Sequence, residues 1–337
     1  MSPGRSRVVA LCGGIGGAKL VLGLNRVVPP SELVVVVNTG DDFEHLGLAI
    51  SPDLDTVMYT LAGLDDPQRG WGRRDETWTF MSALAGLGGE TWFRLGDGDL
   101  ATHIERTRRL GAGEPLSMIT ADLCRRLGIA AQVLPMSDDR VRTRLATDRG
   151  LLDFQDYFVR QGCAPIVLKV IYEGASSARA SAALLCALHS PGLRAVVICP
   201  SNPLLSIEPM LAVPGIRDAL AQCAAPVVAV SPIIGGRAVK GPTAKMLTEL
   251  GMPATATAVA RRYADLLDGY VLDYVDAAEA QGLDIPVAAA KALMVTMEDR
   301  EALARAVLAH ADTLAQARHE NSQARSRVAA PDGKSRQ

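Results

Sequence analysis

Val8-Val9-Ala10-Leu11 runs into Cys12-Gly13-Gly14-Ile15-Gly16-Gly17-Ala18-Lys19, and Leu33-Val34-Val35-Val36-Val37 runs into Asn38-Thr39-Gly40-Asp41-Asp42. Both apolar runs are continuous and rich in valine, as expected for strands covered on both faces of a parallel sheet. Between them, residues 18–28 carry apolar side chains at helical spacing and stop at Pro29-Pro30, where the missing N–H and the ring end a helix. Strand, glycine turn, helix and strand make a βαβ unit, whose crossover is right-handed. The fold class predicted is α/β: a Rossmann-like, mostly parallel sheet with helices on both faces.

The same alternation continues downstream. Residues 132–135, 166–171, 195–199 and 226–231 are short and apolar, and each leads into turn chemistry or a helix. Residues 53–127 read differently, with helical stretches around 56–64, 75–86, 101–110 and 117–127. This segment is predicted to be a helical insertion over the carboxyl ends of the strands, where ligands of open α/β sheets bind. The expected organisation is one α/β domain over 1–316. The last segment, 317–337, is rich in Arg and Ser and is expected to be a disordered tail.

Composition narrows the class. The 337 residues are 48% hydrophobic and 21% charged, with a formal net charge of -2 from 35 basic and 37 acidic residues. That balance gives no electrostatic case for nucleic acid as a partner. No apolar run approaches the roughly 20 residues that span a bilayer, and residues 1–7 lack the apolar core of a signal peptide. The 6 cysteines are scattered without any CxxC pair, which fits reduced thiols in a cytoplasmic protein better than a disulfide or zinc framework.

Glycines after a buried strand let backbone amides approach a phosphate at a helix N-terminus. Here the turn is neither standard motif. Lys19 follows Ala18, with Leu20 where a Walker A loop has its magnesium-binding Ser or Thr, and Lys19 also closes what would be GxGxxG. A tight turn without a ligand is the plainer alternative. Asp41 and Asp42 follow a strand, while Asp53 and Asp55 open a helix behind Pro52. Capping explains one such residue; four carboxylates beside a phosphate site point to a divalent cation, Mg²⁺. Arg94, Asp97, Asp99 and His103 crowd a glycine turn, although a lone His is more often structural. The loops 200–203 and 231–236 follow strands and carry small polar residues suited to a nucleotide. Lys240 and Lys245 come after them, and 135–139 ends another strand.

CGGIGGAKL, VNTGDD, SPDLDTVMYTLAG, RGWG, WFRLGDGDLATH, LPMSDD, FQDYFV, PSNPLLSI and VAVSPIIGGRAVKGP occur in this order. Over residues 8–296 the chain resembles the 2-phospho-L-lactate transferase family of coenzyme F420 biosynthesis. The resemblance implies a transferase that requires Mg²⁺. It would move a phospholactyl, phosphoenolpyruvyl or 3-phosphoglyceryl group from a GMP-activated diphosphate donor to the ribityl hydroxyl of the deazaflavin Fo. GMP leaves and an F420-0 type product forms. It also implies contacts to Fo from Asp55 and Arg94, with Asp55 and Asp53 as catalytic residues. Gly13, Gly14, Gly16, Gly17 and Lys19 match the phosphate-facing turn. Ser201, Asn202, Ser231 and Gly235 match segments that hold the nucleotide, while Asp41, Asp42 and Asp53 remain the candidate metal ligands, unranked among themselves. The sequence does not decide which acid is carried. An NAD(P)-dependent oxidoreductase is the alternative, weakened by the broken fingerprint and the surplus carboxylates. A nucleotide-binding regulator would leave Asp55 and Arg94 without a role. Apolar surface on the helical lobe predicts a homodimer.

Overall fold

A computed structural model describes residues 6–329. Strand β1 (Arg7–Cys12) leads through the glycine turn into helix α1 (Gly14–Val27) and on to β2 (Leu33–Val37). A hairpin, β3 (Phe43–His45) and β4 (Leu48–Ile50), precedes helices α2 (Pro52–Leu61), α3 (Thr79–Gly86), α4 (Asp97–Gly111) and α5 (Leu116–Arg126). Then come β5 (Gln132–Pro135), β6 (Arg142–Thr147), β7 (Gly150–Asp153), β8 (Val167–Glu173), β9 (Leu193–Ile198) and β10 (Val227–Val230). A two-stranded ribbon, β11 (Ile233–Ile234) and β12 (Arg237–Ala238), is followed by β13 (Gly269–Asp273) and β14 (Val287–Ala290). Seven strands form one sheet in the order β14-β13-β10-β9-β1-β2-β5, and every pairing in it is parallel.

Side chains of successive strand residues point to opposite faces, and the core divides accordingly. Val9, Leu11, Val34 and Val36 enter one buried cluster, while Val8, Ala10, Leu33 and Val35 enter the other with Leu20 and Leu24 of α1. The predicted doubly covered sheet is therefore present. β1 is central: the chain runs from it to β2 and β5 on one side, then returns to β9, β10, β13 and β14 on the other. The crevice between β1 and β9 is the topological switch point, where open α/β sheets build their sites.

Three expectations need correction or completion. Residues 166–171 do form a strand, but β8 joins an antiparallel sheet of order β7-β6-β8 beside the main one. Its partner β6 buries alternate residues only, the mark of a sheet with one wet face. β13 and β14 extend the main sheet beyond the expected strands: β13 holds a short buried Tyr270-Val271-Leu272 run behind a glycine, and β14 is a weak Val-Ala-Ala-Ala run. Between β2 and β5 the segment is largely helical; α2 packs on α1 and α5 on β5. The last helix runs Met297–Ala329 along α1, through the first part of the segment expected to be a disordered tail. Residues 330–337 lie outside the described residues. Among the described residues no helix is long and apolar enough to cross a membrane.

Candidate active site

The glycine turn ends β1 at the switch point. Gly14 has φ +61 and opens α1, a conformation that side chains with a Cβ adopt only at a cost. Gly16 lies against the Pro200 carbonyl, 2.5 Å from where a Cβ would stand, and Gly17 lies equally close, at 2.5 Å, to Ser201 Oγ. These glycines thus let the β9 loop press onto α1. The Gly13 amide donates to Ser201 Oγ at 3.1 Å, and Ser201 Oγ donates back to the Gly13 carbonyl at 2.8 Å. The Gly14 amide donates to Asp53 Oδ1 at 2.7 Å. Two of the expected phosphate donors are therefore engaged within the protein. Helix geometry leaves the next amides, of Ile15 and Gly16, without intrahelical partners.

The two aspartate pairs are each divided. Successive residues of a helix turn by about 100°, so side chains two apart point roughly 200° apart. On α2, Asp53 faces the glycine turn, and its second oxygen accepts from Asn38 Nδ2 at 2.9 Å. Burial pushes Asp53 up to about 6 against these hydrogen bonds. Its neighbour is Asp41, which burial first and the Asp53 charge second hold well above the ordinary carboxylate range. Asp42 turns the other way. It accepts from Ser51 Oγ at 2.8 Å, and burial pushes it up to about 7 although the Arg142 and Arg106 charges pull it down.

Asp55 faces α4. Its carboxylate is held by both terminal nitrogens of Arg106, one at 3.1 Å. His103 Nδ1 stands 3.6 Å from Asp55, and its Nε2 stands 3.3 Å from Asp99. Asp99 in turn accepts from Tyr59 Oη at 2.6 Å. Burial raises Asp99, but the bonds from His103 and Tyr59 outweigh it and hold the acid below its ordinary range. Asp99, His103 and Arg106 recur at i, i+4 and i+7, one face of α4; that spacing is the signal by which Arg106 was findable in sequence. Arg94 is not brought to Asp55: it is exposed and stacks over Trp78, 4.3 Å from the ring centre. Asp97 accepts from the Thr79 and Phe80 amides, each at 3.0 Å, and so caps α3.

The remaining predicted nucleotide contacts are partly committed. Ser231 Oγ closes its own turn, donating to the Ile233 carbonyl at 2.8 Å. The Gly235 amide donates to Asp276 at 3.0 Å. Asn202 Oδ1 caps the following turn through Leu204 and Leu205, while its buried Nδ2 has no partner. Lys19 Nζ donates to the Met294 carbonyl at 3.0 Å. Lys245 points elsewhere, to Pro165 and Glu249.

Unsatisfied polar atoms mark the chemistry of the site. Asp41 Oδ1, Asp42 Oδ1, Thr39 Oγ1 and Thr143 Oγ1 are buried without partners. Buried polar groups are rarely left so unless a ligand or water completes them. Hard, mutually repelling oxygen donors of this kind fit Mg²⁺, which takes one or two carboxylates and leaves positions for water and phosphate. Asp41 with Asp53 meets that description. Asp41, Asp42 and Asp53 are not gathered as one triad. Among the described residues the group of three potential ligands within 4.8 Å of one another is Asp55, Asp99 and His103, and Arg106 already neutralises its Asp55.

Comparison with known proteins agrees with this architecture. The family described as 2-phospho-L-lactate transferase CofD matches residues 8–315. A phosphoenolpyruvate transferase of Streptomyces griseus is 44% identical over 304 residues, covering 88% of this chain and 95% of that one. A phosphoenolpyruvate transferase of Kitasatospora aureofaciens is 44% identical over 323 residues, covering 93% and 99%. Among solved structures, a upf0052 family protein of Bacillus halodurans has a TM-score of 0.61 at 15% identity, covering 90% of this chain and 99% of that one. At that identity the likeness is one of fold.

Proposed function

This chain belongs to the 2-phospho-L-lactate transferase family and is a phosphotransferase enzyme; from that premise we propose that it makes an F420-0 type product from Fo and a GMP-activated phospho-acid. The acid proposed is phosphoenolpyruvate, because relatives 42–44% identical carry the name phosphoenolpyruvate transferase. The terminal ribityl oxygen attacks the phosphorus that bears the acid. The bond from that phosphorus to the bridging oxygen breaks, and GMP leaves with that oxygen.

The observation that carries this reading is the pair of buried, unpartnered carboxylate oxygens of Asp41 and Asp42, of which Asp41 neighbours Asp53 at the α1 N-terminus and Asp42 faces Ser51. Phosphoryl transfer depends chiefly on alignment and on neutralising charge. Bound Mg²⁺, held by Asp41 and Asp53, would neutralise charge on the transferred phosphate. The proton of the attacking hydroxyl is assigned to Asp42, which has a free oxygen and a pKa of about 7, suited to a general base. Asp55, whose oxygens are engaged by Arg106, serves to position the acceptor side. Arg94 is kept as an Fo contact that needs to leave Trp78. A homodimer, through the exposed Leu87, Ile104 and Met118, is part of the proposal, with light scattering as its check.

The deciding experiment is mass spectrometry of the product from Fo and each guanylylated acid, with and without chelator. The phosphoenolpyruvyl product should dominate, and EDTA should abolish it until Mg²⁺ is restored. Full turnover in excess EDTA, or no Fo adduct with any acid, would refute the reading.

A further inference from the structure

Lys19 belongs to a feature that the carboxylate site does not use. Lys19 of α1, Lys240 beyond the β12 ribbon and Arg300 of the last helix line one cleft of about 230 Å³. Ile15 borders it at the first turn of α1, and Thr56, one turn beyond Asp53 on α2, forms its wall, so it adjoins the site described above. Among the described residues none of the three cations has a carboxylate within 4.0 Å. The two acids of the cleft are Asp65 and Asp66, and Asp66 is committed to Arg69 and its own turn. Arg300 Nε is buried without a hydrogen-bond partner. Burial, then Arg300 and Lys240, lower the pKa of Lys19, so the cations repel one another across the cleft.

Three like charges brought together from distant segments, opposed by one free acid, are costly unless an anion completes them. Other arginines of this fold show the usual arrangement: Arg109 holds Glu114 and Asp122. A guanidinium fork with two ammonium groups suits phosphate oxygens. The rim is apolar and open, with Trp71 at 44% and Val295 at 66% exposure, and it accommodates a flat or uncharged remainder.

We propose that this cleft seats a multiply charged phosphate group of the donor, with Lys19, Lys240 and Arg300 as its cationic contacts. The inference rests on the donor chemistry proposed above and adds residues to it. The charged group is either the diphosphate or the phosphate and carboxylate of the acid.

Titration calorimetry of the full chain with GDP, inorganic pyrophosphate and phosphoenolpyruvate, on wild type, Arg300→Gln and Lys240→Gln, tests it. Lys240 is an exposed loop residue, so its variant stands if Arg300→Gln melts early. Each variant should weaken binding roughly tenfold or more, the loss of one charge-assisted contact, and flatten the salt dependence. Weakening confined to GDP and pyrophosphate supports the diphosphate end; weakening for phosphoenolpyruvate supports the acid end. Unchanged affinities for all three probes overturn the inference and leave the transferase reading standing. A wild type that binds none of the probes overturns both.

Discussion

Asp55 and Arg106 form a buried ion pair between α2 and α4, joined through both terminal guanidinium nitrogens. Arg106 is among the largest fully buried side chains, at 1% exposure. Burial works against its charge, yet Asp55 holds its pKa above the ordinary value. Removing one partner of such a pair strands the other. Arg106→Met should destabilise the fold by about 3–5 kcal/mol, read by denaturant unfolding. Asp55→Asn should also destabilise, which separates pairing from helix capping, where Asn would serve nearly as well. A change under about 1 kcal/mol in both would remove the pair as a structural element.

Asp41→Asn acts on the opposite side. It removes a buried charge that repels Asp53, so stability without divalent cation at pH 8 should hold or rise. Turnover should fall roughly 10²-fold, and Mg²⁺ should no longer raise the melting temperature. An Asp41→Asn enzyme with normal Mg²⁺ dependence would contradict the assignment of this residue.

The pH dependence follows from Asp42 and Asp53. Their native pKa values of about 7 and about 6 stand above the ordinary 3.8, so the folded chain binds more protons than the unfolded one across that window. The contribution of these two groups to unfolding free energy therefore falls as pH rises from about 4 to 7. His45 and His310 have lowered pKa values through burial and act in the opposite sense, so the comparison is with a variant. Melting of Asp42→Asn in chelator should decline less steeply between pH 4 and 7 than wild type. Parallel curves would mean that Asp42 titrates normally.

Gly14 and Gly16 test the turn. Ala at Gly14 places a Cβ at φ +61 and should cost about 1–2 kcal/mol. Ala at Gly16 must push Pro200 away, and it should cost turnover as well as stability because Asn202 moves with that loop. An unaffected Gly16→Ala enzyme would show the contact to be dispensable.

Arg94→Met should leave stability unchanged, since the side chain is exposed and contributes a stacking contact to Trp78. Steady-state kinetics should show a higher KM for Fo with the donor KM intact. Equal effects on both substrates would remove Arg94 from the acceptor site.

The βαβ start, the parallel sheet and the glycine turn around which the candidate site is drawn were legible in the residues alone. The valine-rich runs at 8–11 and 33–37, the glycine turn and the Pro29-Pro30 stop are local signals, each complete within a few turns of chain. How those pieces were used was settled by packing. Asp53 and Asp55 look equivalent in sequence, but a helix sends them to opposite sides, and the fold placed Gly14 beside one and Arg106 beside the other. Ser201 and Gly235 carry the expected chemistry, yet Gly13 and Asp276 occupy their hydrogen-bonding groups. β14, a Val-Ala-Ala-Ala run, has little strand propensity of its own and pairs because β13, itself docked on β10, offers it an open edge. Lys19, Lys240 and Arg300 share a cleft although they come from the first helix, a late loop and the last helix. Proximity of that kind comes from chain topology, which no local pattern encodes.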